Sequence, residues 1–177
     1  GEDCLREEDV DVVLLEDGQV LEYSGPHAGG RSGLDPAKLP GVVVDDSRAK
    51  LTGVWKESTA SATWLGDSYR HDDNARDGQC TARFEAQLPA SGRYEVRLAY
   101  TPNRNRATNV AVEVHHAKGQ QRVVVNQQQS PPLDGLFISL GVLDFTAGQT
   151  AAVVVSNSGA DGHVIVDGVQ WMGAAKE

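Results

Sequence analysis

Apolar and polar side chains alternate with a period of two through most of residues 41–172. In the stretch Gly92 to Tyr100, Tyr94, Val96, Leu98 and Tyr100 fall on one side and Arg93, Glu95 and Arg97 on the other. That is the pattern of a strand with one face in a core and one in water. Val110, Val112 and Val114 repeat it. Val123 to Val125 and Val153 to Val155 run without interruption and read as strands covered on both faces. Turn formers break the chain at short, regular intervals, which predicts strands over 41–45, 52–57, 81–87, 92–100, 109–115, 121–126, 137–145, 150–156 and 163–172. Such spacing, with no long helix-period segment to compete, predicts an all-β fold: a two-sheet antiparallel β-sandwich or jelly roll.

The first 41 residues read differently. Leu5, Val12 and Val13 line one face of a short helix ending at Gly18, while the β-branched run Val10 to Leu15 and the Asp17-Gly18 pair also suit a hairpin. The helix is the preferred reading of the two. Between Ser24 and Gly41 the breakers Gly25-Pro26, Gly29-Gly30, Gly33, Asp35-Pro36 and Pro40-Gly41 mark a linker or ordered surface loop. An extension over 1–41 and a compact domain over 42–173 follow from this. Within the domain, Leu88-Pro89-Ala90-Ser91-Gly92 is a tight strand connection, because proline cannot donate to a sheet ladder and glycine accepts unusual backbone angles. Phe145 to Gln149 plays the same part.

Charge and composition narrow the function classes. The net charge is −9, and residues 1–17 hold eight acids against Arg6 alone, so seven of those nine charges sit in the extension. The rest of the chain is nearly neutral and has no Lys/Arg stripe, which argues against a nucleic-acid partner. No apolar run approaches the ~20 residues of a membrane helix, and no secretion signal opens the chain. The initial Gly in place of Met is read as an excised segment, which leaves native targeting out of view. At 177 residues one domain can bury a core without staples, so Cys4 and Cys80 permit a bridge but do not require one.

Candidate chemistry is sparse. No nucleotide loop, nucleophile elbow or zinc-spaced ligand set is present; Ser24-Gly25 and Ser158-Gly159 lack the strand-turn-helix setting of a catalytic serine. Aromatics make up 6% of the chain. Trp55 and Trp171 lie in strand patterns and read as core, whereas Trp64 and Tyr69 flank a loop-like segment that either leaves an aromatic face open to a sugar ring or packs inward. Asn103, Asn105, Arg106 and Asn109 concentrate hydrogen-bonding groups on one connection, where ligand-binding residues commonly sit. The competing reading has these amides bonding their own turn and Arg106 pairing with a carboxylate. His71-Asp72-Asp73-Asn74 offers oxygens and an imidazole, but neighbours on an extended segment point opposite ways, which favours a self-capping turn. His115-His116 fails as a zinc pair for the same reason.

The order of Val44-Asp45-Asp46, Thr52-Gly53-Val54-Trp55, Tyr69-Arg70-His71-Asp72, Leu88 to Val96, Asn105 to Asn109, Val125-Asn126-Gln127, Leu140-Gly141 and Val166 to Trp171 resembles the golvesin-type carbohydrate-binding-like domain, also called the xanthan-lyase carbohydrate-binding-module-like domain. No one of these motifs is specific; their order is. The resemblance implies a galactose-binding-like jelly roll, non-catalytic and attached to larger extracytoplasmic bacterial enzymes, among them polysaccharide lyases and FAD-dependent oxidoreductases. Leu15 to Leu21 is similar to the junction after such an oxidoreductase, although no flavin-binding glycine motif is present. Two functions remain open: a polysaccharide-binding accessory module with Trp64, Tyr69, His71, Asn103, Asn105, Arg106 and Asn109 as its ligand residues, or a structural domain packed on its parent enzyme with no sugar ligand. The isolated domain is expected to be monomeric. Resemblance to calcium-tied jelly rolls further implies a structural Ca²⁺ held by Asp45, Asp46 and Asp167, and no other cofactor.

Overall fold

The computed structural model describes residues 33–174 in full and, ahead of them, the strands Val12–Leu14 (β1) and Val20–Glu22 (β2). β1 and β2 pair antiparallel, with Val13 opposite Leu21. The expected N-terminal helix is therefore corrected to a pair of strands: β-branched residues favour extended backbone, and a short isolated helix is marginal. Asp17 and Gly18 lie outside the described residues. Gly1–Ser32 and Gly33–Glu177 are separate compact units.

Twelve strands build the second unit: Val42–Asp45 (β3), Lys50–Thr52 (β4), Lys56–Ser58 (β5), Tyr69–His71 (β6), Thr81–Gln87 (β7), Gly92–Ala99 (β8), Val110–His116 (β9), Gly119–Val125 (β10), Phe137–Phe145 (β11), Thr150–Ser156 (β12), Ile165–Val166 (β13) and Gly168–Gly173 (β14). They form a five-stranded sheet ordered β10-β9-β12-β7-β4, a four-stranded sheet ordered β11-β8-β14-β3, and a small sheet ordered β13-β6-β5. All strand pairs are antiparallel. The Leu88–Ser91 connection carries the chain from the larger sheet to the four-stranded one, and Thr146–Gln149 carries it back.

The alternation read in the sequence becomes the core. Phe84 and Ala82 of β7, Val96 and Leu98 of β8, Val110, Val112 and Val114 of β9, Val153 and Val155 of β12, and Val169 and Trp171 of β14 meet between the two large sheets. Burial of this many branched and aromatic side chains, at roughly 25 cal/mol per Å² of apolar surface, drives the sandwich together. Three expectations need correction. Val124 is exposed, because β10 is an edge strand whose outer face is open. The segment predicted as one strand over 52–57 is split into β4 and β5, which leaves Trp55 between them and only partly buried, its Nε1 donating to the carbonyls of Thr52 and Thr81 at 3.0 and 3.1 Å. The final strand is likewise divided into β13 and β14 at Asp167.

Residues 33–41 are fastened to the sandwich. Leu34 makes a parallel bridge with Leu65, donating to Trp64 O and accepting from Gly66 N. Asp35 then caps a 3-10 turn over Pro36–Lys38 that leads into β3.

Candidate functional site

One end of the sandwich gathers the connections 59–68, 72–80, 100–109, 126–136 and 157–164, together with the small β13-β6-β5 sheet. Every residue expected to contact a ligand lies at this end. The structure nevertheless divides them into a buried frame and an exposed rim.

The frame contains Trp64, Tyr69 and Arg106, which are 1%, 2% and 5% exposed. Trp64 and Tyr69 rings lie 6.5 Å apart and tilted, and the Arg106 guanidinium sits 5.7 Å from the Tyr69 ring centre. An open aromatic platform at Trp64 and Tyr69 is thus corrected: the Leu34–Leu65 bridge draws the Trp64 loop inward, and Tyr69 belongs to β6 rather than to a loop. Arg106 is also not paired with a carboxylate. Its Nε donates to Thr101 O at 2.9 Å, Nη1 to Asn105 Oδ1 at 2.7 Å, and Nη2 to Thr101 Oγ1 at 3.0 Å and Ser61 Oγ at 3.3 Å. Burial lowers its pKa from the ordinary guanidinium value. Neutral oxygens and the π face of Tyr69 take the place of a counter-ion and tie two connections and β6 to one cation.

Two further buried side chains stand in for missing strand pairing. Gln127 accepts from Ile165 N at 2.8 Å and donates to Ile165 O at 2.9 Å, so its amide acts as one more residue beside β13. Asp72 accepts from Val164 N at 2.9 Å and from Asn157 Nδ2 at 3.0 Å, and Asn157 in turn accepts from Cys80 N. Sequence reasoning missed Gln127, Asn157 and His163, since a polar residue after a strand carries no mark of burial. Cys80 is buried and not bridged, with burial raising its thiol pKa; Cys4 lies outside the described residues.

The rim consists of His71, Asn103, Asn105 and Asn109, half-buried or exposed. Asn103 Oδ1 accepts from Arg104 N at 2.6 Å, and Asn109 bridges the 157–164 connection, donating to Gly159 O at 2.8 Å and accepting from Asp161 N at 3.0 Å. Thr108 bonds Asp161 through its amide and its hydroxyl. These side chains fix the loop and leave Asn103 and Asn105 facing solvent.

At the junction of β3, β6 and β14 lie Asp45, Asp46 and Asp167, whose oxygens come within 4.8 Å of one another. They are 8%, 1% and 0% exposed. Asp167 accepts from Leu65 N with both oxygens at 3.0 Å, Asp45 accepts from Ser47 N, and Asp46 pairs with Arg70 at 2.8 Å. Asp45 Oδ1 and Asp46 Oδ1 have no partner. Burial, then repulsion from Asp45, pushes the Asp46 carboxyl up to about 8. Burial also holds Asp167 well above the ordinary range, against the Leu65 bond and with repulsion from Asp46 and Asp45 adding to it. A hollow of about 360 Å³, lined in part by Asp35, Ser47, Arg48 and Asp67, reaches Asp45. Three buried carboxylates around one arginine, with two orphaned oxygens, match the oxygen-rich set a hard divalent cation takes.

Two facing antiparallel sheets with the connections of one end gathered over them define a β-sandwich domain. The pattern of the golvesin C-terminal domain matches residues 42–172, and the chain belongs to that family. It is 35% identical over 147 residues to a xanthan lyase of Bacillus sp. (strain GL1), covering 78% of this chain and 16% of that enzyme. Among solved structures it superposes on Paenibacillus xanthan lyase with a TM-score of 0.71 at 31% identity, over 76% of this chain and 13% of the lyase. A Podospora anserina GH26-CBM35 β-(1,4)-mannanase shares the fold, with a TM-score of 0.59 at 16% identity over 78% of this chain and 29% of the mannanase. The chain thus spans about a sixth or less of the xanthan lyases it matches. Among the described residues no helix is long and apolar enough to cross a membrane.

Proposed function

We propose that this domain is a non-catalytic polysaccharide-binding module of a larger extracytoplasmic bacterial enzyme, and that it recognises its ligand with the rim of the loop end. The observation that carries this reading is the rigid frame beneath the rim: Arg106, Gln127, Asp72 and Asn157 are spent on backbone and loop contacts, which holds Asn103, Asn105 and His71 outward as pre-set hydrogen-bonding groups. Preorganised amides suit sugar hydroxyls, and ordering costs little where the loops are already fixed. Asp45, Asp46 and Asp167 would hold a structural Ca²⁺ that fastens the first and last strands of the four-stranded sheet to the Trp64–Gly66 segment. When bound, the ion supplies positive charge that the three carboxylates otherwise lack.

Exposed large aliphatic side chains among the described residues, Leu34, Leu51, Val54, Val124 and Val142, are spread over separate segments, which does not favour a broad apolar face for a parent enzyme. Affinity electrophoresis on acidic and neutral polysaccharides, comparing the domain with an Asn103→Ala variant, tests the reading. Retardation by at least one polysaccharide that the variant loses is expected. Equal mobility of both proteins on every polysaccharide refutes it.

A further inference from the structure

We propose that His71, Asp73 and His163 form a binding site for a divalent transition-metal ion of the zinc class at the loop end, separate from the three buried carboxylates. A turn at the end of a strand pair brings the three together. In the β6–β13 ladder His71 faces Ile165, and Asp72 N donates to Val164 O at 3.2 Å as the last rung. The chain then turns, with Ala75 N donating to Asp72 O and Asp73 N donating to His71 Nδ1, which folds Asp73 back beside His71. Asp72 points away into its bonds with Val164 and Asn157. His163, two residues before Ile165, lies next to the same end of β6.

Ligand atoms of the three residues lie within 4.8 Å of one another. Donors on a tetrahedral zinc ion lie about 3.3 Å apart, so closure requires the three side chains to draw in by about 1–1.5 Å, which exposed and half-buried rotamers permit. The imidazoles are 5.9 Å apart between ring centres. His163 is already oriented: its Nδ1 lies 3.1 Å from Asn105 O, and its backbone N donates to the same carbonyl at 2.9 Å. With Nδ1–H directed at a carbonyl, the Nε2 lone pair is free, the arrangement typical of metal-bound histidine. His71 accepts from Asp73 N through Nδ1 at 3.1 Å. Offering Nε2 to a metal shifts its proton to Nδ1 at the cost of that one exposed hydrogen bond.

The competitor is Lys56, which faces His71 across the β5–β6 pair and holds Asp73 Oδ2 at 2.7 Å. Both side chains are 55% exposed, so the ion pair is readily displaced. Two imidazoles and one carboxylate select zinc, copper, nickel or iron over calcium.

Isothermal titration of ZnCl₂ into the chelator-stripped chain, with excess Ca²⁺ present to occupy the carboxylate site, tests the proposal. One Zn²⁺ per chain is expected, with affinity about tenfold or more weaker in both His163→Ala and Asp73→Asn. Asp73 has a left-handed backbone at φ 55°, which asparagine tolerates, so the second variant keeps its fold. Lys56→Ala should bind more tightly, an effect that loss of a merely structural ion pair would not produce. Absence of saturable binding at millimolar Zn²⁺ overturns the site. So does binding of undiminished strength in Asp73→Asn, which would send the ion to other residues.

Discussion

The three-carboxylate junction gives the sharpest prediction, because removal of a cation and removal of a charge have opposite effects there. In chelated protein Asp46 titrates near 8 when folded and near the ordinary carboxylate value when unfolded. The folded state then binds more protons than the unfolded one between about pH 4 and pH 8, so stability is fully present below about pH 4 and falls as pH rises through 8. Calcium reverses this by making the ionised form the favoured one. At a concentration one hundred times the dissociation constant it adds about 2.7 kcal/mol, which for a domain of this size raises the melting temperature by roughly 5–10 °C. Asp167→Asn keeps an oxygen to accept from Leu65 N, so the fold survives, yet it removes a carboxyl group whose ionised form burial disfavours and a cation would need. Differential scanning fluorimetry of both proteins at about pH 7, chelated and calcium-saturated, is the assay. The variant should melt at or above the chelated wild type and show no response to calcium. Coincident melting curves for wild type with and without the ion, or a full calcium shift in Asp167→Asn, would refute the reasoning.

Two further outcomes follow from the frame. Gln127→Leu leaves the N–H and C=O of Ile165 unpaired in the interior, and urea denaturation should show a loss of about 2–5 kcal/mol; a loss under about 1 kcal/mol would mean the amide bonds contribute nothing net. Gly162→Ala sets a Cβ 2.8 Å from the backbone of Arg106, so the 157–164 connection must move, at a cost of about 1–3 kcal/mol by the same measurement, and an unchanged midpoint would contradict the close approach.

How much of this was legible in the chain depends on the range of the interaction that decides each element. Thr81–Gln87, Phe137–Phe145 and Thr150–Ser156 appear with their predicted bounds, because local alternation or runs of branched residues specify a half-buried or central strand. Tyr69–His71 falls outside every strand the alternation predicts: three residues are too few to show a period, and the strand exists because Ile165 and Val166 pair with it from almost a hundred positions away. The same distance hid His163, which lies beside His71 only because β13 pairs with β6. Asp45, Asp46 and Asp167 were nominated by resemblance, and their convergence follows from Gly168 facing Asp45 in the β3–β14 pair. Trp64 shows the limit most clearly. Its loop character was read correctly, but whether a loop folds outward or inward is set by what meets it, here Leu34.

The Gln127 amide that completes the edge of β13 has a consequence for change over time. Since Gln127 is anchored to main chain and the outward Asn103 bonds only the amide of its own neighbour, a new side chain at position 103 alters what the surface offers without altering how the sandwich is assembled. A domain built this way can vary its surface one exposed position at a time with its interior intact.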